Sequence, residues 1–292
     1  MKNFFIITPT FNDWRSLNEV LHEIDKKVSK MKGKFSVIVI NDASTIKPSL
    51  KLKRLKKLKK INIITNKKNL GSQKSISLGL KYLQKIKTKS IITVIDSDGE
   101  DDPGKIRELI NQAQKNPQSI ITANRLKRKE NIIYNLFYKI HLLITFILTG
   151  KYIDFGNYSS FSSINLNKLL RSSDTLLAYS GAIAKNAKNI KSYYISKKKR
   201  YYDKSKVKIL FLIQHSINII SVFKFNVLKS SILFCILLIL LILLNLITKN
   251  FIIYFIILFV AIFNIIISYK HKSKLNLKNY LSFIANIREY KN

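Results

Sequence analysis

Acidic residues are scarce in this 292-residue chain: 16 Asp and Glu stand against 52 Lys and Arg, a formal net charge of +36 at pH 7. Such an imbalance points to a polyanionic partner, whether nucleic acid, an anionic membrane surface or a phosphorylated substrate. Cysteine is rarer still, and the single Cys235 excludes an internal disulfide. No internal repeat or low-complexity linker interrupts the sequence. The opening "MKNFFIITPTFND" has too short an apolar run before Pro9 to serve as a cleavable signal peptide, so the N-terminal part is expected in the cytosol. A nucleic-acid-binding module would suit the charge, but no known motif is present and aromatics do not interleave with the basic run. No nucleic-acid partner is expected.

What the chain does have is two long uncharged runs near its end. "VLKSSILFCILLILLILLNLI", Val227 to Ile247, is long enough to cross about 30 Å of hydrocarbon. "FIIYFIILFVAIFNIIIS", Phe251 to Ser268, follows after only Thr248-Lys249-Asn250. So short a connection predicts a helical hairpin. Lys224 and Lys229 flank its entry, while Lys270, His271, Lys272 and Lys274 follow its exit, which by the positive-inside rule puts both ends in the cytosol. A bacterial inner-membrane protein with two spans is expected. The stretch before the first run, Ser205 to Phe223, has apolar faces broken by Lys, Gln and His and suits an interfacial helix. "NIIYNLFYKIHLLITFILTG" (131–150) has the same character, and either lies on the membrane surface or covers the sheet.

The first 125 residues alternate Val- and Ile-rich runs with helix-patterned stretches, which predicts a parallel α/β sheet covered on both faces. Expected strands are "FFIITPT", "FSVIVINDAS", "INIITN", "SIITVID" and "SIITANR"; "PSLKLKRLKKLKK" (48–60) reads as a strongly basic helix. In such sheets ligands gather beyond the carboxyl ends of the strands. Thr10–Asp13, Asp42, Asn66–Asn69, Asp96–Asp98 and Arg125 all fall there.

The scarce acids are concentrated at one of those ends. Asp96, Asp98, Glu100, Asp101 and Asp102 crowd into seven residues. If the strand continues through them, Asp96 and Asp98 point the same way. With diphosphate oxygens they would form a hard, oxygen-rich site for Mg²⁺ or Mn²⁺. Capping of the helix that opens at Pro103 accounts for Asp101 or Asp102 but not for all five.

Taken in order, the motifs resemble those of the family 2 glycosyltransferases of GT-A fold, close to polyprenyl-phosphate glycosyltransferases such as the dolichol-phosphate mannose synthases. "TPTFND" resembles P-T-Y/F-N-E, and "VINDASTI" resembles V-D-D-x-S/G-x-D with Asn41 in the first acidic place. "NKKNLGSQKSISLGL" is similar to N-x-G-x-x-x-A-x-x-x-G, "DSDGEDDP" to D-A-D-L-Q-D-P-P, and "TANR" to G-S/N-R. "RYYDKSK" resembles R-x-x-G-x-S-K, with Asp203 in place of the glycine. The likeness covers about residues 3–225 and extends to the two-span anchor. It implies a GT-A domain over 1–204 with a mostly parallel central sheet, an interfacial helix over 205–226, the hairpin over 227–269 and a basic cytosolic tail over 270–292.

The resemblance also implies roles. Pro9, Asp13, Asp42 and Asp96 would bind the nucleotide sugar; Asp96 and Asp98 would hold the metal; and Asp98, Glu100, Arg125 and Arg200 would act in catalysis. Arg125, Arg200, Ser205 and Lys206 would bind the acceptor phosphate. Asn157 stands where some members carry an acid proposed as base. The implied reaction is inverting transfer of a hexose from a UDP- or GDP-sugar to a membrane polyprenyl phosphate. That monoester has a second pKa near about 6, so it reaches the site as a dianion and needs no base; a sugar hydroxyl would need one, with Asp154 or Glu100 as candidates. The expected partners are therefore a nucleotide sugar, a polyprenyl phosphate and an anionic membrane, with homo-oligomerisation left open. Extension of a glycolipid or surface polysaccharide, and a non-catalytic membrane homologue, are the alternatives.

Overall fold

The computed structural model describes residues 2–51, 53, 55–126, 132–202, 209–243, 251–271 and 277–291. It divides into two compact units. Unit 1 takes residues 1–129, 154–206 and 275–292, and unit 2 takes 130–153 and 207–274.

In chain order the elements are β1 (Asn3–Thr10), α1 (Trp14–Val28), β2 (Lys34–Asn41), β3 (Lys60–Asn66), α2 (Ser72–Ile86), β4 (Ser90–Val94), α3 (Ile106–Lys115), β5 (Ser119–Arg125), α4 (Ile132–Thr149), β6 (Phe155–Ser162), the short helices α5 (Leu166–Leu169) and α6 (Asp174–Leu177), α7 (Tyr179–Asn186), β7 (Asn189–Ile195), α8 (Ile209–Val222), α9 (Lys224–Leu243), α10 (Phe251–His271) and β8 (Ile284–Lys291). A 3₁₀ segment, Leu277–Phe283, precedes β8.

Unit 1 is built on one eight-stranded sheet of order β7-β5-β6-β4-β1-β2-β3-β8. The pairs β1–β2, β1–β4, β2–β3 and β5–β7 are parallel, whereas β6 is antiparallel to β4 and β5, and β8 to β3. Alternation along the central strands sets the two faces. Phe4, Ile6, Val37, Val39, Ile61 and Ile63 share a buried cluster with Leu17, Val20, Leu21 and Ile24 of α1 and with Ile106, Leu109 and Ile110 of α3. Ile7 and Ile40 turn to the other face, against α2, where a β-carbon on Gly79 would come within 3.0 Å of Ile7 and 3.1 Å of Ile40. Glycine there lets the helix lie close on the sheet.

Two expectations fail in unit 1. The stretch 48–60 contains no α-helix among its described residues before β3 begins at Lys60. The buried Asp25 of α1 explains why: its carboxylate accepts the backbone N–H groups of Lys56 (3.0 Å), Lys57 (2.7 Å) and Leu58 (2.7 Å). Leu55 and Leu58 are buried beside it. The stretch expected as a tail instead re-enters unit 1: β8 pairs with β3 from Lys60↔Lys291 to Asn66↔Ile284, and Lys60 meets Glu289 at 2.8 Å.

Unit 2 is helical. Helix α9 is 20 residues long with a mean hydropathy of 2.5, and Ile252–Lys270 within α10 has 19 residues at 2.6. Both are long and apolar enough to cross a membrane. Their large apolar side chains, Leu233, Ile236, Phe255, Phe259 and Ile265 among them, are mostly exposed, which in water would be costly and in hydrocarbon is not. Asn264 of α10 donates to Ser231 of α9 at 2.8 Å, and Asn226 donates to the Thr149 carbonyl at 3.0 Å. Helices α4 and α8 belong to the same unit and also present apolar surface, including Phe137, Leu143, Ile147, Leu210 and Phe211. Helix α4 thus falls in the same unit as the apolar helices α8, α9 and α10.

Candidate active site

Strands β1, β2, β3 and β4 run in one direction, and β5 and β7 share it because β6 is antiparallel to both β4 and β5. The carboxyl ends of six strands and the start of β6 therefore line a single edge of unit 1. Pro9 is buried in β1 opposite Ile40 and lies past Ile7↔Val94, the last pairing with β4, so its missing N–H breaks no ladder on that side.

Asp13 caps α1, accepting the Ser16 N–H at 3.3 Å, and its second oxygen meets Arg200 Nη2 at 3.2 Å. Asp42 is 3% exposed and turns inward. It accepts from Asn66 Nδ2, the Leu70 N–H and the Gly71 N–H, each at 2.8 Å, so its carboxylate holds the loop that leads into α2. The 41–46 loop is laced to β1's end by Asn12 N–H to Ser44 Oγ (2.9 Å) and Ile46 N–H to Asn12 Oδ1 (3.1 Å).

The acidic loop follows β4, which ends at Val94 rather than continuing through Asp96, so the i, i+2 alternation expected of Asp96 and Asp98 is broken by a turn at 97–98. Asp96 and Asp98 meet different groups. Both oxygens of Asp96 accept from Asn157 Nδ2 at 3.1 Å. Asn157 Oδ1 accepts in turn from Gln73 Nε2 (3.1 Å), and Gln73 Oε1 from the Tyr179 N–H (2.7 Å). One chain of amides thus ties the β4 loop, β6, α2 and α7. Asp98 Oδ1 accepts the Glu100 N–H at 2.9 Å, and Oδ2 faces Arg200 Nη1 at 3.4 Å. Burial pushes the Asp98 carboxyl above its ordinary range against the Glu100 N–H, the Glu100 charge adds to the rise, and Arg200 opposes it.

Glu100 and Asp102 are answered by a basic segment, 197–201, of which only Arg200 carried an expected role. Glu100 pairs with Lys197 at 3.0 Å. Asp102 accepts the Gly104 N–H at 2.8 Å, the expected cap, and also Lys198 Nζ at 2.8 Å. Lys198 reaches Glu23 at 2.9 Å, and Tyr201 donates its hydroxyl to the same carboxylate. Backbone bonds fasten the two segments: Lys198 N–H to Glu100 O at 2.9 Å and Tyr201 N–H to Asp98 O at 3.2 Å. Between them Gly99, at φ +83°, lets the Tyr201 ring pass; a β-carbon there would lie 2.3 Å from it. Arg15 stacks over Tyr202 at 4.3 Å. The run "SKKKR" opposite "DSDGEDD" was the available signal for this strap.

Arg125 closes β5 opposite Ile195 of β7; its side chain, like Ser205 and Lys206 altogether, lies outside the described residues. Asp154 accepts from Asn124 Nδ2 at 2.6 Å. Among the described residues no three carboxylate, imidazole or thiolate side chains gather into a metal centre. Asp96 and Asp98 are hard oxygen donors on one loop, and an ion held there would need substrate oxygens to complete its shell. In that sense the residues suit Mg²⁺ or Mn²⁺.

The model of the family described as glycosyl transferase family 2 matches residues 5–173. The chain belongs to this family. It is a glycosyltransferase with the GT-A fold. Among solved structures, glucosyl-3-phosphoglycerate synthase from Mycobacterium tuberculosis, in complex with Mn²⁺, UDP-glucose and phosphoglyceric acid, is 11% identical, with a TM-score of 0.53 over 77% of this chain and 80% of that one. A structure titled only as a mycobacterial protein gives 12% identity and 0.53 over 77% and 74%. S. aureus TarS (1–349) in complex with UDP-GlcNAc is 17% identical, with 0.45 over 79% and 70%. These likenesses concern the fold. No curated protein sequence matches the chain.

Proposed function

We propose that this family 2 enzyme transfers a hexose, with inversion, from a UDP- or GDP-sugar to a polyprenyl phosphate in the membrane. The observation that carries the acceptor's chemistry is Asn157. At the place of a proposed base the chain presents an amide whose N–H group is turned onto Asp96 and whose oxygen is held by Gln73. Neither end can take a proton from a hydroxyl. Of the two remaining candidates, Asp154 already accepts from Asn124 and Glu100 is paired with Lys197. An acceptor that arrives as a phosphate dianion needs no such proton transfer.

Asp96 and Asp98 would hold the Mg²⁺ or Mn²⁺, which when bound would offset charge on the departing diphosphate. Asp42 would serve the nucleotide indirectly, by fixing the 66–71 loop, while Asp13 and Pro9 border the donor. Arg125, Arg200, Ser205 and Lys206 would face phosphate, a task to which bidentate guanidinium contacts are suited. Glu100 would position Lys197. The solved relative that contains both Mn²⁺ and UDP-glucose supports a metal-assisted nucleotide-sugar donor.

The membrane acceptor is supported by the course of the chain. Both candidate spans lie between Arg200 and β8, and β8 is hydrogen-bonded into the same sheet as β1. A chain that leaves and returns to one sheet crosses a bilayer an even number of times, as the hairpin requires. The test is Mn²⁺-dependent release of UDP or GDP by full-length protein in lipid nanodiscs with undecaprenyl phosphate, using Asp98→Ala as control. Release that ignores both the metal and the substitution would overturn the metal-assisted reading.

A further inference from the structure

We propose that Arg200 is a resident counter-cation of the acidic loop: it surrenders Asp98 to the divalent ion and turns its guanidinium onto a substrate phosphate, so that metal and phosphate bind cooperatively through one side chain. This rests on the reading that Asp98 holds the metal.

Two observations carry it. First, Arg200 spans two carboxylates of the site, with Nη2 3.2 Å from Asp13 and Nη1 3.4 Å from Asp98, distances longer than the 2.7–2.9 Å usual for charge-assisted bonds. Second, its Nε is buried with no acceptor among the described residues. A guanidinium has five donors, and leaving one buried and unpaired is unfavourable. Arg200 is therefore held by opposite charge rather than by a full set of hydrogen bonds. A phosphate could accept from Nε and a terminal nitrogen together, which neither carboxylate does here.

The backbone on both sides of Arg200 is pinned. Lys198 and Tyr201 bond the carbonyls of Glu100 and Asp98, Tyr201 fills the space over Gly99 and anchors on Glu23, and Tyr202 lies under Arg15. Only the side chain needs to move. Without a ligand, Asp13, Asp98 and Glu100 would repel one another, and Arg200 with Lys197 prevents this. A divalent ion held by Asp98 would compete with Arg200 for that carboxylate and repel the guanidinium. The freed cation then favours an arriving anion.

Linkage makes this measurable, because a coupling between two ligands is reciprocal and amounts to about 5- to 150-fold in affinity. Calorimetry of Mn²⁺ binding to the full chain in nanodiscs, alone and with saturating UDP or GDP, reads it. Arg200→Gln should bind Mn²⁺ alone about tenfold more tightly than wild type and should lose most of the enhancement by nucleotide. Arg200→Lys keeps the charge and should restore weak binding of Mn²⁺ alone; it also shows that the site tolerates substitution. If Arg200→Gln binds Mn²⁺ no more tightly and keeps the enhancement, the exchange is overturned while the metal site stands. If wild type and Arg200→Gln both ignore Mn²⁺ with either nucleotide, the metal site itself is wrong and the exchange falls with it.

Discussion

Replacing Gly99 by alanine tests whether the basic strap and the acidic loop form one structure. Two costs follow from the geometry. At φ +83° a β-carbon meets the backbone, at about 1–2 kcal/mol. The same carbon would lie 2.3 Å from the Tyr201 ring, so the ring must leave, and with it the hydroxyl bond to the Glu23 carboxylate. A hydrogen bond to a charged group contributes about 1.5–3 kcal/mol. Together these give about 3–5 kcal/mol, or roughly 6–20 °C in melting temperature for a domain of this size. Differential scanning fluorimetry of the detergent-solubilised protein measures the shift. The cycle with Tyr201→Ala isolates the clash: in that background Gly99→Ala should cost only the backbone strain, about 1–2 kcal/mol. A Gly99→Ala protein that melts like wild type, or one whose loss is undiminished by Tyr201→Ala, would refute the reasoning.

Other outcomes follow from single contacts. Asn157→Asp sets a second carboxylate against Asp96 where an amide donor stood at 3.1 Å; kcat/KM should fall about 10- to 100-fold, in line with a like-charge repulsion of about 1–4 kcal/mol. Asp25→Ala orphans the three N–H groups of 56–58 and should lower stability by about 3 kcal/mol or more in urea titrations, with little change in KM for the nucleotide sugar. The raised pKa of Asp98 sets a pH signature in the ligand-free protein. Its contribution to stability is full below the unfolded value of 3.8 and declines as pH rises through the higher folded value. Asp98→Asn should therefore raise the melting temperature at pH 7, and that gain should shrink toward pH 4 and vanish below it.

The sheet edge was legible because the first four strands each end their apolar run in a polar residue: Thr10, Asn41, Asn66 and the acids after Val94. Local spacing carried that information. The errors arose where a distant partner decides. Leucines and lysines in 48–60 fit a helix, but one buried carboxylate in α1 takes three of their N–H groups. The large apolar residues of "IANIREYK" fall three apart rather than alternating, so only the open side of β3 makes it a strand of this sheet. Asp42 occupies its expected place at a strand end but faces the protein, which no motif encodes. Nor does spacing reveal that residues 197–201 answer the acids of 98–102, since the pairing spans about 100 residues of chain and depends on β5 and β7 lying side by side.

The claim on which the account turns is that the acceptor is an already ionised lipid phosphate. Nanodiscs carrying both undecaprenyl phosphate and a lipid-linked saccharide with free hydroxyls, given a labelled nucleotide sugar and Mn²⁺, put the two chemistries in direct competition, with mass spectrometry reading the product. The account predicts label on the polyprenyl phosphate alone. Label on the saccharide hydroxyls, with the polyprenyl phosphate untouched, would contradict it.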